Sequence, residues 1–352
     1  MKKSRLLILA ILTVAVAVAA GITAKLRAPK VNVSKELLFP VLAERINDVS
    51  RIKIQGDRRF VELEKSGDNW VIVNADNYPA LFNKVRQIVI SLSQLRVLEK
   101  KTENPEFYDR LGVENPLSED TPALLLTLED TAGKELASLI VGKPRQSSGS
   151  NPGLYVRRPE QPHALLVEGR LDLSAEKRDW FDQNLINIPS GRVSKIRIQH
   201  PGNDTVSMYK TGRQQPDFEL EGTSANEKSV TRILLNRIAT GLEELRADDV
   251  RAADKFKFPE DTTVTTVTTF DGLIVNVRLA EVDDSHFARF SFGTKGNTEP
   301  ESGVMGESRH LNERLSDWVY VIPEFKFDDL TISMQDINKP FQSGQNLPDE
   351  TD

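Results

Sequence analysis

Cysteine is absent from the 352-residue sequence. Without thiols the chain forms no disulfide and offers no thiolate ligand for zinc or an iron–sulfur cluster, no cysteine nucleophile and no lipidated N-terminal cysteine. This absence is compatible with any redox compartment. Histidine is scarce too, and none of His163, His200, His286 and His310 has the spacing of a zinc-binding helix.

Motifs for phosphate binding and acyl transfer are missing as well. Gly142-Lys143-Pro144 lacks the upstream glycine spacing and the hydroxyl residue of a P-loop. The serine of Gly149-Ser150-Asn151-Pro152-Gly153 is not central in a G-x-S-x-G elbow, so this stretch is typical of a flexible hairpin loop. The net charge of −6 argues against a nucleic-acid partner, because such proteins carry basic clusters.

Adjacent aspartates occur at Asp248-Asp249, Asp283-Asp284 and Asp328-Asp329. A catalytic carboxylate pair needs two side chains that converge across a cleft, and adjacency in the sequence does not indicate this. We interpret the three pairs as solvated loop charges. The sequence therefore predicts no catalytic, cofactor-binding or metal-binding residue and no cofactor.

Aromatic side chains are few, and several fall on predicted strands or at predicted helix ends. We interpret these as core residues, with a stacking surface for a ligand as the alternative. They are Trp70, Tyr155, Trp180, Trp318 and Tyr320.

One long apolar run stands near the N-terminus. Lys2, Lys3 and Arg5 precede Leu6–Thr23, an uncharged run of 18 residues (23 − 5). This length is at the lower edge for a membrane-spanning helix, and the basic residues before it place the N-terminus in the cytoplasm. A cleaved signal peptide is the alternative, since Ala17-Val18-Ala19 has the small-x-small form of a cleavage site. We expect a single-pass protein of the cytoplasmic (inner) membrane whose C-terminal domain lies in the periplasm.

A sequence repeat organises the rest of the chain. Val49–Ile54 (VSRIKI) returns as Val193–Ile198 (VSKIRI), 144 positions later (193 − 49). A repeat of this length indicates duplication of a domain and not a solenoid. The apolar face of a following helix also recurs 150 positions later, with Val85, Ile88, Leu92 and Leu95 matched by Leu235, Ile238, Leu242 and Leu245.

The fold class predicted from these patterns is α+β, with two tandem similar units after an N-terminal transmembrane helix. Each unit is a mainly antiparallel sheet with an amphipathic helix packed on one face. A helix is predicted to open at Pro79 with Leu81 on its buried face, Leu171–Leu185 is predicted to be helical, and Gly293–Ser316 is predicted to be a loop.

The predicted boundaries follow the repeat. Residues 1–27 are the membrane anchor or signal sequence, and 28–48 are a linker with a short helix. The α+β repeats span 49–190 and 191–332, and residues 333–352 are predicted to be a disordered tail.

Several motifs occur in a characteristic order. A strand is entered by Asn47-Asp48-Val49, and Trp70-Val71-Ile72 forms another strand before the Pro-led helix. Leu111-Gly112-Val113-Glu114-Asn115-Pro116 and the strand Tyr155-Val156 complete the first half. In the second half Phe256-Lys257-Phe258-Pro259 replaces the Leu-Gly-x-x-x-Pro segment. Over most of the chain outside the tail, this order resembles the bacterial family DUF4340. The resemblance implies no catalytic residues, and it implies partnership with ABC-type export or gliding-motility-like membrane systems.

We therefore expect a non-enzymatic, membrane-anchored module outside the cytoplasm that binds a partner protein, itself a membrane protein. Such a module is an accessory component of an ABC-type transport or gliding-motility-like system, and sheet edges and long loops are the expected contact surfaces. The alternative is a periplasmic module that binds a glycan or lipid in the cleft between the repeats. Aromatic side chains lining a deep cleft favour the alternative, whereas an exposed patch favours the partner protein.

The first testable prediction concerns Leu6–Thr23, which we expect to remain attached and to span the membrane. The reason is the length of the uncharged run behind basic residues. N-terminal sequencing or intact mass of the mature protein measures this directly. A mature chain that begins near Gly21 would show that the segment is a cleaved signal peptide.

Overall fold

The structure is a computed structural model that describes residues 36–145, 152–222, 229–296 and 303–338. The predicted anchor at 6–23 lies outside these ranges, as does most of the predicted tail. Among the described residues, no helix has the length and apolar character needed to cross a membrane. The helices are α1 (Pro40–Glu44), α2 (Phe82–Ser93), α3 (Tyr108–Leu111), α4 (Ser229–Ile238), α5 (Val304–Leu315), α6 (Glu324–Leu330) and α7 (Met334–Asn338).

The first sheet has nine strands in the order β4-β3-β2-β1-β6-β7-β8-β9-β5. Its pairings are antiparallel. Ile52 of β1 lies opposite Leu63 of β2 on one side and Leu128 of β6 on the other, so alternate apolar residues line one face. The strands are β1 (Val49–Gly56), β2 (Arg59–Ser66), β3 (Asn69–Ile72), β4 (Tyr78–Pro79), β5 (Arg96–Lys100), β6 (Leu124–Asp130), β7 (Glu135–Pro144), β8 (Gly153–Arg157) and β9 (Ala164–Glu168).

The second sheet has eight antiparallel strands in the order β13-β12-β11-β16-β17-β18-β19-β15, and β10 pairs with β14 in a small separate sheet. Ile196 of β11 lies opposite Met208 of β12 and Val267 of β16. These strands are β10 (Asn184–Ile186), β11 (Val193–Gln199), β12 (Thr205–Tyr209), β13 (Glu219–Leu220), β14 (Leu245–Arg246), β15 (Asp249–Ala252), β16 (Thr263–Thr269), β17 (Leu273–Val282), β18 (Ser285–Thr294) and β19 (Trp318–Val321). The predicted α+β class with mainly antiparallel sheets is confirmed.

Both sheets contribute to one continuous hydrophobic core. On α2 the buried residues Val85, Ile88 and Leu92 recur at helical spacing and join this core with the strand residues Trp70 and Ile72. Trp70 is 7% exposed. Alternation along β3 predicts this burial, because Trp70 and Ile72 share a face.

Aromatic side chains join the two sheets. The ring of Tyr78 in β4 makes edge contacts with Phe181, Trp318 and Tyr320, at centroid distances of 5.3, 4.7 and 6.2 Å. The Tyr78 and Tyr320 hydroxyls lie 3.4 Å apart, and burial raises the pKa of both groups. Both hydroxyls therefore stay protonated at neutral pH, and this contact does not titrate.

Two edge strands, β5 and β15, are partly covered by other parts of the chain. Asp76 accepts a hydrogen bond from the backbone N–H of Ala252 in β15 (3.0 Å) and one from Lys255 Nζ (2.8 Å), and the bond from Lys255 lowers the pKa of Asp76. Asp76 and Asn77 have φ of 55° and 66°, in the left-handed region that Asp and Asn tolerate better than most residues. Residues 36–38 cover β5: Leu38 N–H donates to Leu95 O (2.8 Å) and Val97 N–H to Glu36 O (3.0 Å). The sheet edges that the sequence analysis expects as contact surfaces are therefore short or partly covered in the described chain.

Several local predictions were wrong. Pro79 belongs to β4, α2 begins at Phe82, and Leu81 is 39% exposed instead of buried. Leu171–Leu185 contains a 3-10 turn at Lys177–Trp180 and part of β10, because the segment crosses between the sheets and pairs with β14. The stretch predicted as a loop, Gly293–Ser316, holds α5, whose Leu311 and Leu315 are buried.

The C-terminal region also differs from its prediction. Helix α6 was not predicted, and α7 occupies residues 334–338, which the composition assigns to a disordered tail. Ile337 of α7 is 8% exposed and joins the core, so this contact explains why the polar segment is helical here.

The second testable prediction is that Trp70→Ala and Phe218→Ala each destabilise the protein by about 3–5 kcal/mol, the usual cost of truncating a buried aromatic side chain. Both side chains are buried, at 7% and 1% exposure. Thermal unfolding of the purified full chain, followed by circular dichroism, measures the change. Phe60→Ala is the matched control, since Phe60 is 36% exposed. An unchanged melting curve for Trp70→Ala would contradict the core assignment.

Candidate functional site

The histidines make contacts with different partners and do not form a cluster with one another. His200 Nδ1 is 3.1 Å from Thr263 Oγ1, and its Nε2 is 3.0 Å from Ile332 O, so both ring nitrogens are engaged. His163 pairs with Glu103, and the His286 ring lies 4.6 Å from that of Phe327. His310 is exposed on α5. In the described ranges, no three His, Cys, Asp or Glu side chains cluster in a way that could hold a metal ion.

The acidic pairs have separate structural roles. Asp283 and Asp284 form the β17–β18 hairpin turn, with φ of 49° and 59° at the two positions. This conformation is that of a primed two-residue turn, for which Asp is a favoured residue. The side chains therefore lie at a hairpin tip and do not converge on a cleft.

The other two pairs join separate elements. Asp249 accepts a hydrogen bond from Lys177 Nζ (2.7 Å), and Asp248 lies 3.9 Å from Arg178, so this acidic pair faces a basic pair. Asp329 is 6% exposed and pairs with Arg237 Nε at 2.9 Å. Burial raises the pKa of Asp329, and Arg237 opposes that shift. Asp248 and Asp249 are partly solvated as predicted, whereas Asp329 is a buried structural ion-pair residue and not the predicted loop charge.

Gly142 and Lys143 hold a neighbouring segment of backbone in place. A Cβ atom added at Gly142 would lie 2.6 Å from the carbonyl oxygen of Gly112, and Lys143 Nζ donates to Asp109 O at 2.9 Å. Gly112 ends α3 with φ of 68°. Gly142 and Lys143, which resemble part of a P-loop in sequence, thus pack against the backbone at the start of the Leu-Gly-x-x-x-Pro segment. Most of the predicted loop at 149–153 lies outside the described residues.

The predicted core aromatics are largely enclosed. Trp180 and Tyr320 are fully buried and Trp70 is 7% exposed, while Tyr155 and Trp318 are half-buried. Between the sheets, Tyr78, Trp318 and Tyr320 contact one another instead of lining an open cleft.

An open groove, which we name the α2 groove, lies along helix α2 and has a volume of about 720 Å³. Trp70, Val85 and Val89 are its buried apolar residues. Phe82, Arg86 and Ile90 follow one another at intervals of four along the helix, so they share a face beside the groove. Lys65 and Asp68 line it from the β2–β3 hairpin, and Ile46, Asn47 and Val49 complete the lining.

The α2 groove combines exposed apolar surface with basic groups. Phe82 is 46% exposed, and its neighbour Leu81 is 39% exposed. Lys65 and Arg86 are exposed and form no ion pair with any residue in the described part of the chain. An apolar cleft with a few polar groups at its border is a typical recognition surface. Sequence patterning missed it because Leu81 and Phe82 follow the predicted helix start, where core burial is the default interpretation.

Residues 70–266 match the family model described as Domain of unknown function (DUF4340), over more than half of the chain. The chain belongs to this family. The match begins at Trp70 and includes Leu111–Pro116 and Tyr155-Val156, whereas Asn47-Asp48-Val49 lies before it. No curated protein and no solved structure matches the chain.

The third testable prediction concerns Asp283 and Asp284. The double variant Asp283→Asn, Asp284→Asn is expected to change the free energy of unfolding by no more than about 0.5 kcal/mol, because Asn also favours this turn conformation and the site is exposed. Thermal unfolding and the cellular phenotype are the measurements. A stably folded, correctly located variant that loses function would show that these carboxylates do chemistry.

Proposed function

We propose that this DUF4340 protein is a non-enzymatic, membrane-anchored module in the periplasm that binds a partner protein through the α2 groove. The observation that carries the proposal is the exposed Phe82 in an apolar groove, in a chain whose described sheet edges are short or partly covered. Binding of an amphipathic segment in such a groove is a recurring mode of peptide recognition.

The anchor in this proposal is Leu6–Thr23, preceded by three basic residues. The described chain begins at Glu36, whose carbonyl accepts a hydrogen bond from the β5 edge. Twelve residues (24–35) separate the anchor from Glu36. Fully extended, this stretch spans at most about 43 Å. The folded part therefore stays near the periplasmic face of the cytoplasmic membrane.

Two tandem similar units, at 49–190 and 191–332, form the body of the proposed module. The strand order supports this duplication: β3-β2-β1-β6-β7-β8-β9-β5 corresponds one to one with β13-β12-β11-β16-β17-β18-β19-β15. Register supports it too, because Ile52 and Ile196 each lie between the equivalent neighbouring strands. Helices α2 and α4 occupy the same place in the order of elements, directly after β4 and β13.

The partner in this proposal is a membrane protein of an ABC-type transport or gliding-motility-like system, of which the chain is an accessory component. The support is the family resemblance together with the position of the anchor. A non-enzymatic role agrees with the histidine and aspartate side chains described above, which bond to turns, carbonyl groups and basic residues. Glycan or lipid binding between the units needs aromatic faces open to solvent, and Tyr78 and Tyr320 are instead buried against each other.

The fourth testable prediction is that Phe82→Ala abolishes co-purification of the partner from detergent-solubilised membranes. Because Phe82 is 46% exposed, the melting temperature is expected to change little. Ile233→Ala is the matched control, since Ile233 is 72% exposed on the corresponding helix α4. Equal recovery of the partner with Phe82→Ala and the native chain would refute the assignment of the groove. Absence of any co-purifying protein with the native chain would refute the proposed function itself.

A further inference from the structure

We infer that the α2 groove binds a short acidic segment of the partner polypeptide, whose carboxylate pairs with Arg86. This inference rests on the proposed function and specifies the chemistry of its partner. It comes from a difference between the units. In the second unit Asp217 fastens its loop to the helix, whereas the first unit has Asn69 at that position. The turn residue Asp68 also lines the groove, but it forms no ion pair with a residue in the described ranges.

The second unit covers the corresponding region with its β12–β13 loop. Asp217 of this loop accepts a hydrogen bond from Asn236 Nδ2 of α4 (2.7 Å) and lies 3.9 Å from Arg232. Asn236 Oδ1 in turn accepts the backbone N–H of Phe218 (3.1 Å). The loop is thus fastened to the helix by a carboxylate that precedes the aromatic residue of the strand.

Strand register relates these residues to those of the first unit. Leu63 pairs with Ile72 as Met208 pairs with Leu220, so Trp70 corresponds to Phe218 and Lys65 to Lys210. Lys210 Nζ lies 4.5 Å from the centroid of the Phe218 ring. Four residues separate Lys65 from Trp70 (70 − 65 − 1), whereas seven separate Lys210 from Phe218 (218 − 210 − 1). The first unit therefore has a shorter turn beside its groove.

The charges at the two sites also differ. Asn69 stands where the second unit has Asp217, and Arg86 stands where it has Asn236, 150 positions later. In the first unit the carboxylate is thus replaced by a neutral amide. The helix cation stands one turn further along, at Arg86, because Phe82 occupies the position of Arg232. Arg86 and Lys65 form no ion pair with a residue described here, Asp68 of the same groove lining included. An arginine beside an apolar surface binds a carboxylate through a charge-assisted hydrogen bond, which is stronger than a neutral one.

The dimensions of the α2 groove fit a short stretch of polypeptide. From Phe82 to Ile90 the helix advances by eight residues, about 12 Å at 1.5 Å each. An extended chain covers this length with about four residues at roughly 3.3 Å each. An apolar side chain over Trp70 and an Asp or Glu at Arg86 then fall within the same segment.

The test is photo-crosslinking of the full chain in its own cells, with p-benzoyl-phenylalanine in place of Ile90. We expect an adduct with a partner polypeptide, and mass spectrometry of the crosslinked peptide is expected to place an Asp or Glu within about four residues of the attachment point. The same probe in place of Ile233, which is more exposed, is the matched control and is expected to give no adduct with this partner.

Charge variants test the role of Arg86 with the Ile90 probe kept in place. Arg86→Glu is expected to reduce the adduct yield at least about tenfold, the scale of a hydrogen bond to a charged group, while Arg86→Lys retains most of it. Asn69→Asp restores the carboxylate in cis, as in the second unit, and is expected to compete with the partner and lower the yield. Asn69→Ser is its control and is expected to leave the yield unchanged.

Other occupants of the groove would overturn the inference. These are a lipid, a second copy of the chain, or the chain's own acidic segment 339–352, each identified from the mass of the adduct. A yield that does not respond to Arg86→Glu would also overturn it. If the partner co-purifies but the Ile90 probe gives no adduct, this inference fails and the proposed function stands. If no partner co-purifies with the native chain, both fail.

Discussion

Backbone groups at the edge of a β-sheet need hydrogen-bond partners, and the architecture of this protein depends on how that need is met. One edge of the first sheet pairs with the segment that enters the domain, at Leu38 and Val97. Its other edge lies against the edge of the second sheet, where Asp76 accepts the free N–H of Ala252. Each of these edges therefore shields the other. The rings of Tyr78, Phe181, Trp318 and Tyr320 pack between the two sheets.

This arrangement limits where a partner protein can bind. Addition of a strand to a sheet edge needs a free row of N–H and C=O groups. In the described chain, β4 and β13 are only two residues long, and other segments bond to backbone groups of β5 and β15. The α2 groove is different, because its polar groups are side chains and its apolar residues belong to a core that is already packed. In the proposed function, a partner gains contact area there without any rearrangement of the sheets.

Much of the architecture follows from the sequence pattern, because the alternation of apolar and polar residues is set by neighbours along the chain. Alternation predicts β1, β2 and β3 and the burial of Trp70, and the repeated VS(R/K)I(K/R)I segments predict that Ile52 and Ile196 occupy similar central strands. Contacts between distant parts of the chain determine the elements that the sequence pattern did not predict. Helix α5 forms in a Gly/Glu/Ser-rich stretch because Leu311 and Leu315 reach the core, and Phe181 lies between strands because its segment crosses from one sheet to the other. The α2 groove was not predicted for the same reason, because it depends on a short turn and on side chains from a 3-10 turn, three strands and a helix. The signal in the sequence was the difference in length between the β2–β3 and β12–β13 loops.

Pairing of the N-terminal segment with β5 also has a mechanical consequence. Any pull on the chain through residue 36 is borne first by the hydrogen bonds at Glu36 and Leu38, before it reaches the nine-stranded sheet. These bonds connect to β5, and β5 is the strand that directly follows α2. In the proposed membrane-anchored arrangement, tension at the N-terminal segment is therefore transmitted to the element next to the groove. A load on that segment and a partner in the groove would then act on the same short stretch of chain.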